Sequence, residues 1–323
     1  PLAGAERISI RYALTGLLRG ILPIRHLQIE TPHVSLFRDS AGNWNFRPLL
    51  PSAPAPPEPV TPDSAARFQV QFDRITLTGG SLSVTDSASR YPGRMQVDDI
   101  NIDVRLKSGP VLEARVRKAA LTLPSHRLAL RAMSGTVRFD PETDQLTLET
   151  LKMQTDASEL AIDGRIDRLL TDMDLSFALD IRALAVAELG RALSIQALDE
   201  GVASGRIEIR GNPDRLAHRV ILALDQQTAD ISGVVSGIRS GSPTLEASGR
   251  LEKLNPKRWP GTAGRLPPGD IRAEFALTGQ DLLQAGRRLK LRLRLGPGQL
   301  ARYRLKRGTV DLELQNGNLE LRD

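Results

Sequence analysis

Polar and apolar residues alternate with a period of two along most of this chain, the pattern of strands that bury one face. Leu289, Leu291, Leu293 and Leu295 fall on one side of an extended backbone, and Lys290, Arg292 and Arg294 on the other. Ile100, Ile102, Val104 and Leu106 repeat the pattern with polar partners between them. So do Leu175, Phe177 and Leu179, then Ile271, Phe275 and Leu277, then Val310, Leu312 and Leu314. Shorter copies sit at Ile75/Leu77, Leu82/Val84, Leu128/Leu130, Leu146/Leu148 and Leu319/Leu321. The pattern predicts an all-β chain.

Glycine punctuates these runs, with Gly80, Gly135, Gly205, Gly308 and Gly317 each opening a Gly-x-apolar-x-apolar unit. Placed before a strand, each glycine is expected to supply the strained position that ends a turn. The units recur irregularly, as a degenerate strand repeat. Helical signal is thin. Leucines at 184, 189, 193 and 198 suggest a helix over 183–198, and 281–288 has the pattern of one or two turns. Residues 11–21 are ambiguous, because Gly16 and Gly20 weaken a helix there.

Seven prolines fall between Pro48 and Pro62. Lacking an N–H, they keep the segment out of any ladder. The reading is a segment 1–47, a proline-rich loop or linker over 48–66, and a strand-built stretch over 67–323. Whether 48–66 is a loop inside one domain or a boundary stays open. A second break, with four prolines and three glycines, spans 255–269.

Composition narrows the class. Hydrophobic residues are 40% of the 323, but aromatics only 4%, so the core must be mainly aliphatic. A membrane barrel needs aromatic girdles, which two Trp and three Tyr do not supply. Net charge is +6, but 44 basic residues are interleaved with 38 acidic ones. Nucleic-acid binding calls for clustered cations and stacking rings, and is not expected here. With no cysteine there is no disulfide, thiolate metal site or thiol nucleophile. No apolar run approaches the roughly 20 residues of a membrane-spanning helix. The opening Pro-Leu-Ala has no initiator Met and no signal peptide follows. The chain therefore reads as an internal piece whose anchor or export signal lies elsewhere.

A sheet with one apolar face must bury it against something, and few helices are available to cover it. Pairing with a second sheet, closing into a barrel and curling over itself are the choices. A curled sheet makes the inner face a continuous aliphatic channel. Such a channel holds acyl chains by water exclusion, at ~0.8 kcal/mol per buried methylene. The alternating residues named above, from Ile100 to Leu314, are then groove candidates. Alternation alone does not separate that groove from a dry core.

Particular segments resemble a known family. The stretch 27–46 holds Ile29, Pro32, Val34 and Leu36, then Arg38-Asp39, Gly42 and Trp44-Asn45, and is similar to a motif of the AsmA/TamB family. Residues 75–86 resemble that family's strand, Gly-Gly turn, strand and Asp unit, and Val97–Val104 follows as it does there. Residues 160–166, 201–213 and 254–275 look more TamB-like. The resemblance implies an elongated curled antiparallel sheet, the β-taco or repeating β-groove, with one or two short helices. It implies a periplasmic location, inner-membrane anchorage of the full-length protein, and a bridge between inner and outer membranes. The partners implied are phospholipid or another acyl-chain lipid, together with outer-membrane assembly proteins. The family's anchor and the TamB C-terminal domain have no counterpart in these residues.

Enzymatic chemistry finds no support. His26, His33, His126 and His218 lack ligand spacing and read as surface or edge residues. No phosphate loop or nucleophile elbow occurs. Asp98-Asp99 and Asp311/Glu313 fall on solvent faces of their strands. Trp44 is expected to pack over a hairpin end. No enzyme activity, cofactor or metal is expected. The functional expectation is a lipid-carrying groove, with outer-membrane protein assembly through strand augmentation as its alternative.

Overall fold

The computed structural model describes residues 2–15, 20–41, 43–46, 69–87, 93–193, 201–239, 242–258, 267–280, 288–315 and 318–322, and most of them lie in strands. They form two units, Pro1–Arg138 and Phe139–Asp323. The division falls away from the proline-rich segment, because strands on both sides of that segment pair within the first unit. The segment itself lies outside the described residues.

The first unit holds β1 (Ala3–Gly4), β2 (Arg7–Tyr12), β3 (Ile21–Glu30), β4 (His33–Arg38), β5 (Gln69–Phe72), β6 (Arg74–Asp86), β7 (Gly93–Lys107) and β8 (Leu112–Leu123). β9 (Leu128–Asp140) runs through the division. β2 pairs antiparallel with β3, as β1 does with β4 and as β6, β7 and β8 do in series. β3 lies parallel to β5 and to the first half of β6, and β4 parallel to its second half. These parallel pairings qualify the all-antiparallel expectation. Parallel neighbours require a long crossover, and the chain between β4 and β5 provides it.

Three adjacent strands of this unit break at one level. Thr31 (φ 50°) precedes Pro32, Gly79 (φ 64°) precedes Gly80, and Asp99 (φ 52°) follows Asp98. Backbone bonds stitch the breaks together, Thr31 N–H to Thr78 O at 2.8 Å and Ser81 N–H to Pro32 O at 2.7 Å. The Asn101 side chain accepts from Gly79 N–H at 3.0 Å and donates to Asp99 O at 2.6 Å. Each break shifts the alternation by one, so that Leu77 and Leu82, or Val97 and Ile100, stay on one face although their parities differ. Gly79-Gly80 is therefore a bulge within β6 and not the turn that the sequence suggested. Glycine suits Gly79 because a side chain is strained at that φ.

The second unit is a meander. β10 (Gln145–Gln154), β11 (Glu159–Asp167), β12 (Asp174–Ala185), β13 (Val202–Asn212), β14 (Arg215–Leu224), β15 (Gln227–Ser236), β16 (Thr244–Leu254), β17 (Gly269–Gln280) and β18 (Arg288–Leu295) each pair antiparallel with the next. A small hairpin of β19 (Gly298–Leu300) and β20 (Tyr303–Leu305) follows, with β19 also against the start of β17. β21 (Gly308–Gln315) then joins β18, and β22 (Asn318–Arg322) joins β21. Among the described residues no pairing closes the sheet, which is curled and open. The all-β class expected from the alternation is the one found.

Gly205 lies inside β13, not ahead of it, and a Cβ there would collide with the carbonyl oxygen of Ile221 in β14. Gly80 and Gly135 are likewise interior to their strands, whereas Gly308 opens β21 as expected. Gly317 lies outside the described residues.

Among the described residues there is one α-helix, α1 (Val186–Leu193), within the span expected; residues 194–198 lie outside the described ones, as do 281–287 of the second helical expectation. The ambiguous 11–21 stretch ends β2 and opens β3, with 16–19 outside the described residues.

The helix is fastened by a buried carboxylate. Glu188, 5% exposed, accepts from Thr155 Oγ1 and Ser158 Oγ at 2.5 Å each and from Ala157 N–H at 3.2 Å, all in the β10–β11 turn. Ser158 Oγ in turn accepts from Ala185 N–H at 3.0 Å, at the end of β12. Replacing Glu188 by Ala strands three donors, of which Ser158 is buried, Thr155 half-buried and Ala157 exposed, and a loss of about 1–2 kcal/mol is expected. Urea denaturation of Glu188→Ala checks this, and an unchanged midpoint would refute the anchoring role.

Candidate functional site

The second unit carries four apolar rows on one face, one of them interrupted at His218 and Gly233. In one, Leu179 of β12 faces Ile207, Ile207 faces Val220 and Val220 faces Ile231. The row continues through Gly249, Phe275, Leu293 and Val310. The next row joins Phe177 to Ile209 and, farther on, Leu277 to Leu291 and Leu312. Leu289 and Leu314 belong to a third with Leu175 and Leu216, and Leu295 to a fourth with Ala273 and Leu251. Ile271 sits beyond that row, opposite Leu254.

The candidates in this unit thus share one face, and β17, β18 and β21 bring most of them side by side. Those of β12 connect to them through β13–β16, whose inward Ile207, Ile209, Val220 and Ile231 were missed from the sequence. The Gly205-Arg-Ile-Glu-Ile alternation was the available signal for the first two. In the first unit, Ile102 faces Leu77, Val104 faces Ile75, Ile100 faces Gly80 and Leu106 faces Ala114, on that unit's own sheet.

The burial of these side chains is unusual for a core. Every groove candidate is half-buried except Ile271, at 7% exposed. Among the described residues only nine hydrophobic side chains are buried, and no side chain is below 2% exposure. A close-packed interior has many fully buried Leu, Ile and Val. Here the aliphatic face is one-sided and half covered.

The opposite face is ionic. Arg206 reaches Asp180 at 2.6 Å and Glu208 at 2.9 Å, Arg219 reaches Asp230 at 3.1 Å, and Arg292 reaches Asp311 at 2.9 Å. The Arg292 guanidinium holds the Asp311 carboxyl below its ordinary range, and Arg206 does the same to Glu208. In the first unit Arg74 grips Asp103 through two bonds of 2.8 Å, and Arg117 stands at 3.7 Å. The Asp103 carboxyl is accordingly depressed, chiefly by the Arg74 hydrogen bonds.

The histidines part company. His26 bonds Thr76 Oγ1 at 2.8 Å, His126 bonds Ser125 Oγ at 2.9 Å, and the His33 ring packs against Gly4. His218 departs from the surface-or-edge expectation. It lies on the apolar face of a central strand, between Ile209 and Gly233. Trp44 bridges back to Arg38, stacks on Phe46 at 5.6 Å between ring centres and lies under the Arg38 guanidinium at 5.9 Å.

What the geometry defines is an open, curled sheet with an aliphatic face and a salt-bridged back. No family model, curated protein or solved structure matches the chain. Among the described residues no helix is long and apolar enough to cross a membrane.

A pH dependence follows from Asp103. Its folded-state pKa is depressed, so its stabilisation is present above the unfolded carboxylate value, about 3.9, and is lost as pH falls through the lower folded value. Asp103→Asn is expected to unfold more readily than the parent at pH 7. The difference should shrink as pH falls through the depressed folded-state value. Denaturant midpoints across pH 2–7 test this, and a pH-independent gap would count against the pairing.

Proposed function

We propose that this chain is a non-enzymatic scaffold that carries the acyl chains of phospholipid, or of another lipid, along its apolar face. In the full-length protein it acts in the periplasm, anchored to the inner membrane, as a bridge supporting outer-membrane biogenesis. The observation that carries the reading is the half-burial of four apolar rows across ten strands, from β10 to β18 and β21. A dry core would bury these side chains, and a solvated face would be polar. An aliphatic surface of this kind is completed by a flexible apolar occupant, which needs no positioned polar partner. The likeness of residues 27–46 and 75–104 to the AsmA/TamB motifs supports the location and the lipid.

A second reading rests on the edge of the first unit. All six side chains of β2 are exposed, with Ile8, Ile10 and Tyr12 at 61%, 51% and 59%, and among the described residues β2 pairs only with β3. Such an edge fits strand augmentation by an outer-membrane protein under assembly.

Native mass spectrometry with lipid extraction, on the segment purified from a Gram-negative periplasm, tests the first reading. Phospholipid is expected to co-purify with the parent and to be lost from Leu291→Glu and Leu293→Glu. Those variants should keep their far-ultraviolet circular dichroism, because a half-open face hydrates the new charge. Collapse of folding in both would mark a dry core. A folded, lipid-free parent would move the assignment to the β2 edge.

A further inference from the structure

Three rings on the apolar face of the second unit lie over a glycine in the facing strand. Phe177 packs on Gly164, Phe275 on Gly249 and His218 on Gly233; a Cβ on the last two glycines would come within 2.9 Å and 2.8 Å of the ring. A ring laid across a glycine fills the gap left by the missing side chain. Phenylalanine does this twice. Histidine adds nothing to that packing except two ring nitrogens able to hydrogen-bond and to carry charge.

Those nitrogens have no partner among the described residues, and the surroundings offer none. The inward neighbours are Ile209 and Gly211 on β13, Gly233 and Ile231 on β15, and Leu216 and Val220 on β14 itself. No charged or titratable side chain faces the ring from any of the three strands. His218 is also the one histidine among residues 139–323. A polar group placed alone on an apolar wall costs stability when covered, unless the covering molecule bonds to it.

We propose that His218 is a binding residue for the anionic phosphodiester of an amphiphile whose chains lie along the neighbouring rows. The inference rests on the lipid-carrying reading above and specifies where on the face the polar end is held. An imidazole N–H donates to a phosphate oxygen, and a bond to an ionised acceptor is stronger than one between neutral groups. The apolar rows hold the chains on either side.

The experiment measures retention of phosphatidylglycerol and of diacylglycerol, both taken up from vesicles, by native mass spectrometry. The parent is expected to favour phosphatidylglycerol about tenfold, which one hydrogen bond to an ionised phosphate supplies. His218→Phe, which keeps the ring on Gly233, is expected to hold diacylglycerol as well as the parent does and to show no preference. An undiminished preference in His218→Phe overturns the proposal and leaves the lipid-carrying reading standing. Should His218→Phe fail to fold, His218→Leu, which matches the leucines of its own strand, decides by the same measurement. Retention of neither lipid by the parent defeats both. Adding inorganic phosphate should leave the preference unchanged, and competition by it would make the residue a free-anion site and overturn the lipid assignment.

Discussion

Register is the constraint on which the second unit depends. Side chains alternate with a period of two, so a slip of one residue in any strand pair moves its aliphatic set to the ionic face. Nine successive pairings, from β10–β11 to β18–β21, hold the four rows in line. Tight turns help to fix them. β13 and β14 are joined through Pro213 and Asp214, where the Asn212 side chain accepts from the N–H groups of Asp214 and Arg215 at 3.0 Å each. β14 and β15 are joined through Asp225 and Gln226, with Asp225 at φ 54°. The ion pairs on the back repeat the same register across the strands. Arg219 lies directly opposite Ser232, one step along from Asp230, and Arg292 directly opposite Asp311. Exposed pairs of this kind add little stability singly, but a slipped strand would press these charges onto Leu and Ile.

Bulges let the strands bend without losing the face. In the first unit they align across β3/β4, β6 and β7. In the second they are scattered, at Thr150 (φ 45°) in β10 and Lys253 (φ 54°) in β16. The first of these is held by Asp163, which accepts from Thr150 N–H at 2.7 Å. Residue pairs that look like turn signals in the sequence, Thr31-Pro32, Gly79-Gly80 and Asp98-Asp99, are places where an otherwise continuous strand takes an extra residue. A turn and a bulge ask the same thing locally, a residue tolerant of positive φ. What separates them is whether the strands on either side pair with each other or continue beside a third, and that is a long-range fact.

This marks the limit of what was legible. The alternation of Leu289–Leu295, Leu175–Ile181 and Val310–Leu314 could be read directly, because each strand is strictly two-faced. The inward face of β14 could not. Leu216, His218, Val220 and Leu222 share it, but Ala217, Ile221 and Ala223 fall on the back, so neither face stands out as polar. Nothing in that pattern marks His218 as inward, and its neighbour Gly233 carries no side chain to betray the face. The parallel pairing of β3 and β4 with β6 was also invisible, since nothing local records which partner a strand takes across some fifty residues. The division near residue 138 falls inside β9, where the Val137/Phe139 alternation runs on without a break.

The half-covered face has a thermodynamic consequence. The conformational cost of ordering a residue, about 1–2 kcal/mol for its backbone alone, is met in ordinary domains by burying aliphatic side chains on both sides. In the second unit the back is ionic, and the apolar front hides only part of its area. An occupant that binds the folded sheet and not the unfolded chain adds RT ln(1 + [L]/Kd) to stability. On the lipid-carrying reading, loading and folding are therefore linked, and an empty sheet is the less stable form. The same linkage bears on His218. An imidazole left bare on the wall takes back some of what its neighbours gain by burial, and it does so least when an anionic head group lies against it. A scaffold built in this way would hold lipid because the lipid completes its core.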